Sequence, residues 1–202
     1  MAKYGLALHT SSPALGLAIG YLDGGSLRSH SWPLGRETSN VLQSYLAKFM
    51  VPQSWSDLAW VAVAIGPGGF TGTRLAVVTA RTIGQQLQIP VFGISSLAAI
   101  AWSEGQDGSI AVEIPAQRGQ IHTGIYMVNR SPQNLEVLQA DRVTTPEKWA
   151  LQAAGCQRVV IEAGADGSAT VSAVWELAQQ QWEKGDRSSW ESVLPIYGQS
   201  PV

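Results

Sequence analysis

Thiols, charge and histidine are all scarce in this chain. Cys156 is the single cysteine of 202 residues, which excludes an intramolecular disulfide and any metal cluster built on several thiolates. The histidines are His9, His30 and His122. Charged residues make up 14% of the chain, the formal net charge is −2, and Lys and Arg form no run. A protein that grips nucleic acid by itself needs a basic patch, and this one has no such footprint. Long apolar runs are missing too, none approaching the ~20 residues of a membrane span. Residues 1–8 are interrupted too soon to serve as a signal peptide. A soluble cytoplasmic protein is the expectation.

What is present is a hydrophobic share of 45%, enough for one good core or two small cores that share an interface. Residues 4–8, 15–21 and 27–34 read as a meander of three strands, broken by His9-Thr10-Ser11-Ser12-Pro13 and by Asp23-Gly24-Gly25. The period then changes. Val41, Leu42, Tyr45, Leu46 and Phe49 fall at helical spacing, with Ser39 in the N-cap place and Pro52 past the end. Residues 60–65 form an apolar strand suited to burial on both faces. It runs into Gly66-Pro67-Gly68-Gly69-Phe70-Thr71-Gly72, and a helix follows over 73–87. Residues 89–94 read as a further buried strand, and Ser95 or Ser96 caps a short helix that ends near Trp102.

A buried strand ending in a glycine-rich turn that opens a helix presents backbone N–H groups to an anion. Gly66, Gly68, Gly69 and Thr71 are the candidate nucleotide-binding residues on that reading, with Gly68 expected at positive φ. The loop lacks the lysine of a P-loop, and its glycine spacing is not that of the dinucleotide fingerprint. On spacing alone, a tight strand-to-helix connection without any ligand is the favoured reading. In the helix beyond, Gly72, Ala76, Ala80 and Gly84 recur every fourth residue. Such a bare ridge admits a close neighbour. With Thr73, Val77 and Arg81 it makes a candidate partner interface, an internal neighbour being the other reading; Leu75, Val78 and Ile83 are expected against the sheet.

Gly105-Gln106-Asp107-Gly108 is the expected boundary between units at 1–104 and 105–202. Past it, residues 109–114 and 121–128 read as paired strands, Pro146 opens a helix, residues 158–163 read as a strand, and Val171, Val174, Trp175, Ala178 and Trp182 form a helical stripe. The two halves show no sequence repeat. The glycines after Glu162 read as a helix entry rather than a second phosphate loop. Ser11 and His9 sit two apart on a turn with no orienting carboxylate, a poor nucleophile and base. Trp60, Trp149 and Trp175 read as packing residues.

The run from Gly66 through Gly84, followed by Ile89-Pro90-Val91-Phe92-Gly93-Ile94-Ser95-Ser96-Leu97, resembles the TsaB (YeaZ) family. Those proteins carry G-P-G-S-F-T-G-x-R-x-G and then a strand ending in G-[IV]-S-[ST]-L. Weaker similarity reaches residues 6–12, Arg36-Glu37, residues 116–119 and Pro195-Ile196-Tyr197. The chain departs from the family where His9 replaces an aspartate, where Pro115 and Gln120 replace two carboxylates, and where Gln199 replaces an arginine.

The resemblance implies an α/β fold of two ribonuclease H-like subdomains, as in actin, Hsp70 and sugar kinases, each a mixed sheet with helices. It implies a non-catalytic subunit of the machinery that makes threonylcarbamoyladenosine on tRNA. The partners it implies are a TsaD-like transferase, a TsaE-like ATPase, a second copy of the chain when alone, and tRNA only indirectly. No cofactor is expected in the isolated chain, with ATP or ADP placed at the interface of the complex. No catalytic or metal-binding residue is expected: three scattered histidines cannot supply the paired histidines of a TsaD-like metal site, and His9 stands where a kinase of this fold needs a carboxylate. A divergent ATP-dependent kinase, hydrolase or peptidase of the same fold is the alternative.

Overall fold

Leu6 and Leu8 point to one face of their strand and Ala7 to the other, and this alternation of large and small side chains sets the layering of the molecule. The computed structural model describes residues 3–104, 106–162 and 170–196. Three antiparallel strands open the chain: β1 (Tyr4–His9), β2 (Leu15–Tyr21) and β3 (Leu27–Trp32). After α1 (Thr38–Met50) the chain returns as β4 (Leu58–Ala64), parallel to β1; after α2 (Phe70–Leu87) it adds β5 (Val91–Ile94), parallel to β4. The sheet order is β3-β2-β1-β4-β5.

After α3 (Ser96–Glu104) the pattern repeats. Strands β6 (Gly108–Pro115), β7 (Ile121–Arg130) and β8 (Gln133–Thr144) make a second antiparallel meander, α4 (Pro146–Gln152) follows, and β9 (Gln157–Val160) pairs parallel to β6. That sheet runs β8-β7-β6-β9. Three antiparallel strands, a helix, and a strand parallel to the first: both halves share this build, although their sequences show no repeat.

All seven residues of β4 are buried, because both faces of the first sheet are covered. Leu6, Leu8, Val61 and Val63 meet α1 and α2, while Ala7, Trp60, Ala62 and Ala64 lie on the other side with α5 (Val171–Glu183). Gly5 makes room there: a Cβ on it would lie 2.1 Å from the Trp60 ring. Trp175 of α5 packs on Trp60 at 5.6 Å between ring centroids and donates its indole N–H to the Gly5 carbonyl at 2.8 Å. Residues 170–196 thus return to the first sheet, where Val91 N–H also donates to the Ser188 carbonyl and Ile196 N–H to that of Ile65. Conversely, α3 packs on β6 and β7. One apolar cluster joins Trp60 and Ala62 of the first sheet to Ile110, Val112 and Tyr126 of the second.

Several expectations need correction. The strand β8 is absent from the sequence reading, because an edge strand with irregular register at Thr123 to Tyr126 loses strict alternation. Ser39 lies inside α1 and donates to the Arg36 carbonyl at 3.1 Å rather than capping the helix. Ser95 is the cap of α3, its Oγ accepting from Leu97 and Ala98 N–H at 3.1 Å each. Gly105, the glycines after Ala163, and Tyr197 and Gln199 lie outside the described residues. No helix among those described is long and apolar enough to cross a membrane.

Candidate functional site

The glycine-rich turn lies against the turn after β1, backbone on backbone. A Cβ on Gly68 would sit 2.3 Å from the Ser11 carbonyl oxygen, and one on Gly72 would sit 2.0 Å from that of Thr10. Both are far inside van der Waals contact, so only glycine fits. Hydrogen bonds lock the approach. Gly69 N–H donates to the Ser11 carbonyl at 2.6 Å, Thr10 Oγ1–H to the Gly72 carbonyl at 2.6 Å, and Thr73 Oγ1–H reaches Ser11 Oγ at 3.1 Å. Positive φ belongs to Gly66, at +97°, and not to Gly68. Gly68 is glycine for close approach alone.

A cleft of 790 Å³ opens here between the two halves. Gly68, Gly69, Thr71 and Gly72 line it together with the start of α1, the β1 turn and Ser96 of α3. Gly66 does not: its carbonyl accepts from Ser96 N–H at 2.8 Å, which ties the loop to α3. With Gly69 N–H donated to Ser11, one amide of the glycine-rich turn is already engaged inside the fold. Glu162 is the one carboxylate on the described lining, and Arg36 the one permanent cation.

The ridge of α2 faces inward, the internal one of its two readings, and Leu75 and Ile83 pack on the same core as expected. Thr73, Ala76, Val77, Ala80 and Gly84 are buried within the chain, Ala76 and Ala80 completely. A Cβ on Gly84 would lie 2.2 Å from Val91 Cγ2. Gly72 and Arg81 are half-buried, and the Arg81 guanidinium lies 5.7 Å from the Trp190 ring centroid. Small residues let this helix approach strands β1, β4 and β5, so a partner cannot use them. The outward stripe is Phe70, Arg74 and Val78. Phe70 is 45% and Val78 62% exposed, and the Arg74 guanidinium stacks 3.6 Å from the Phe70 ring centroid. The sequence reading placed Val78 on the sheet; the signal that could have found the outward face is the i, i+4 stripe of Phe70, Arg74 and Val78, half a turn from the ridge.

The comparisons agree with this architecture. The family described as TsaD, tRNA N6-adenosine threonylcarbamoyltransferase, matches residues 36–173. The chain is similar to the tRNA threonylcarbamoyladenosine biosynthesis protein TsaB of Bacillus subtilis, 43% identical over 79 residues, or 38% of this chain and 33% of that protein. It is similar to the protein of the same name from Escherichia coli, 24% identical over 126 residues, 60% of this chain and 54% of that one. The chain thus spans about a third to a half of the length of the curated relatives it matches. Among solved structures, YeaZ from Pseudomonas aeruginosa superposes with a TM-score of 0.77 at 23% identity, over 96% of this chain and 99% of that one. An uncharacterized protein with similarity to peptidase YEAZ from the same organism gives 0.79 at 22% identity, over 98% and 100%. These superpositions show the actin-like fold of two ribonuclease H-like units.

Proposed function

This chain belongs to the family of TsaD, tRNA N6-adenosine threonylcarbamoyltransferase, alongside the members named TsaB, and from that premise we propose that it is a non-catalytic subunit that pairs with a TsaD-like transferase to modify tRNA. The observation that carries the pairing is the outward face of α2. Phe70 and Val78 stand exposed on a helix that its own glycines and alanines hold rigidly to the sheet. A firmly seated helix with an apolar, arginine-bearing stripe suits docking, since little order is lost on binding.

The non-catalytic part of the proposal rests on the residues themselves. His9, His30 and His122 lie on β1, β3 and β7, so no helix presents a histidine pair to a metal. His9, the last residue of β1, stands where a carboxylate would handle magnesium. ATP or ADP, if used, belongs to the assembled complex, because Gly66 and the Gly69 N–H are engaged inside the fold. The tRNA belongs to the partner, since a net charge of −2 gives this chain little hold on phosphates. A TsaE-like ATPase completes the assembly, the chain self-associates through the same face when alone, and the setting is the cytoplasm.

The 790 Å³ cleft favours a second reading, a divergent ATP-dependent kinase or hydrolase of this fold. Steady-state turnover of ATP with magnesium by the isolated chain separates the two. The subunit reading expects no turnover alone and complex formation with a TsaD-like transferase; robust turnover alone would favour the enzyme.

A further inference from the structure

Away from the glycine loop, a second cavity of 390 Å³ lies between the end of β5, the edge strand β8 and α5. It shares no described lining residue with the cleft. One wall is aliphatic, with Ile94, Ala98, Leu135, Val137 and Leu177, and Asp141 is the one carboxylate among the polar side chains that complete the lining. Asp141 accepts a hydrogen bond from Ser95 Oγ–H at 2.5 Å on one carboxylate oxygen and from the Tyr126 hydroxyl on the other.

Separate parts of the chain converge to place this carboxylate. Gly124 leaves the Tyr126 ring its position, since a Cβ there would lie 2.6 Å from the hydroxyl oxygen. The register irregularities between β7 and β8 fall beside Gly124, opposite Asp141. Ser95 is itself fixed as the cap of α3. Yet the arrangement is costly to the charge. Burial pushes the Asp141 carboxyl above its ordinary value even though both hydroxyls favour the ionised form. Burial, with the carboxylate beside it, also pushes the Tyr126 hydroxyl well up.

No cation among the described residues pairs with Asp141. Tyr126 and Lys184 are the other titratable groups on the lining, and the Lys184 ammonium donates to Asn134 Oδ1 at 2.7 Å. Gln180 adds a buried amide whose Nε2 has no partner among the described residues. A half-buried carboxylate held by two hydroxyls, with no paired cation among the described residues and an aliphatic wall beside it, suits a positive charge carried on an apolar body.

We propose that this cavity binds a small organic cation, a primary ammonium or guanidinium on a short aliphatic body. Its charged end sits on Asp141 and its body lies against Leu135, Val137 and Leu177. This site is independent of partner docking and of the cleft.

Calorimetric titration of the full chain with n-butylammonium and n-propylguanidinium tests it, with n-butanol and butyrate as matched controls. The expected result is saturable binding of the cations and none of the controls. Binding should weaken as pH falls through the Asp141 titration, because protonation removes the charge that holds the ligand. Asp141→Asn should weaken it by about tenfold or more, the scale of a lost charge-assisted hydrogen bond. Val137→Trp, at a position 56% exposed on the rim, should block entry with the carboxylate intact, and it decides the matter if the Asp141 variant does not fold. Absent cation binding, butanol binding as well as the cations, or Val137→Trp binding like the wild type each overturns the proposal.

Discussion

Gly72 of α2 and Thr10 of the β1 turn meet without a side chain between them: the Thr10 hydroxyl donates to the Gly72 carbonyl at 2.6 Å, and a Cβ on Gly72 would lie 2.0 Å from the Thr10 carbonyl oxygen. One backbone contact therefore sets both the floor of the cleft and the direction of the helix that leaves it. Gly72→Ala is expected to destabilise the fold by about 1–3 kcal/mol, since backbone on both sides must shift. Gly68→Val, facing the Ser11 carbonyl, should cost a similar amount. Urea denaturation of both variants against the wild type measures this; unchanged midpoints would mean that the turn yields freely.

The two faces of α2 should respond in opposite ways. Ala80→Leu overpacks a completely buried position and is expected to cost about 1–3 kcal/mol. Val78→Glu changes an exposed side chain and should stay within about 0.5 kcal/mol of wild-type stability. Association follows the reverse order, with Val78→Glu losing partner binding and Ala80→Leu losing it only as far as it unfolds. Thermal melts paired with sedimentation distinguish the faces.

Asp141 sets the sign of one pH dependence. Its carboxyl in the folded chain titrates above the ordinary carboxylate range because burial penalises the charge. Its contribution to stability is complete below the unfolded value of about 3.9 and is lost as pH rises through the raised folded value. Asp141→Asn should flatten this part of the stability curve. Melting temperatures of both proteins from acid to neutral pH provide the check, and an identical pH slope in the two would contradict it.

The chain alone should bind tRNA weakly. With a net charge of −2 and 14% charged residues, few counterions can be released on binding. Filter binding at two salt concentrations, with and without a TsaD-like transferase, should show affinity only with the transferase present. Tight, salt-sensitive binding by this chain alone would assign it a direct role in recognition.

The first half of the fold was legible because its signals are local. Buried strands such as Leu58–Ala64 are short apolar runs, and the turns between them carry glycine or proline. The orientation of α2 was not legible. A ridge of Gly72, Ala76, Ala80 and Gly84 states that something comes close, and a strand backbone satisfies that as well as another helix does. Strand β8 escaped for a different reason. Its exposed Glu136, Val137 and Leu138 sit on an edge, where no second face imposes alternation. Without β8 the structural repeat of the two halves was invisible. The cluster of Ser95, Tyr126 and Asp141 gathers residues up to 46 positions apart, and only the paired strands bring it together.

The most direct test of the subunit proposal is sedimentation velocity on this chain mixed with a TsaD-like transferase, run with wild type and with Val78→Glu. The account predicts a discrete complex with the wild type, and two separate species with Val78→Glu at an unchanged melting temperature. No complex with the wild type, or a complex that Val78→Glu leaves intact, would contradict pairing through the outward face of α2.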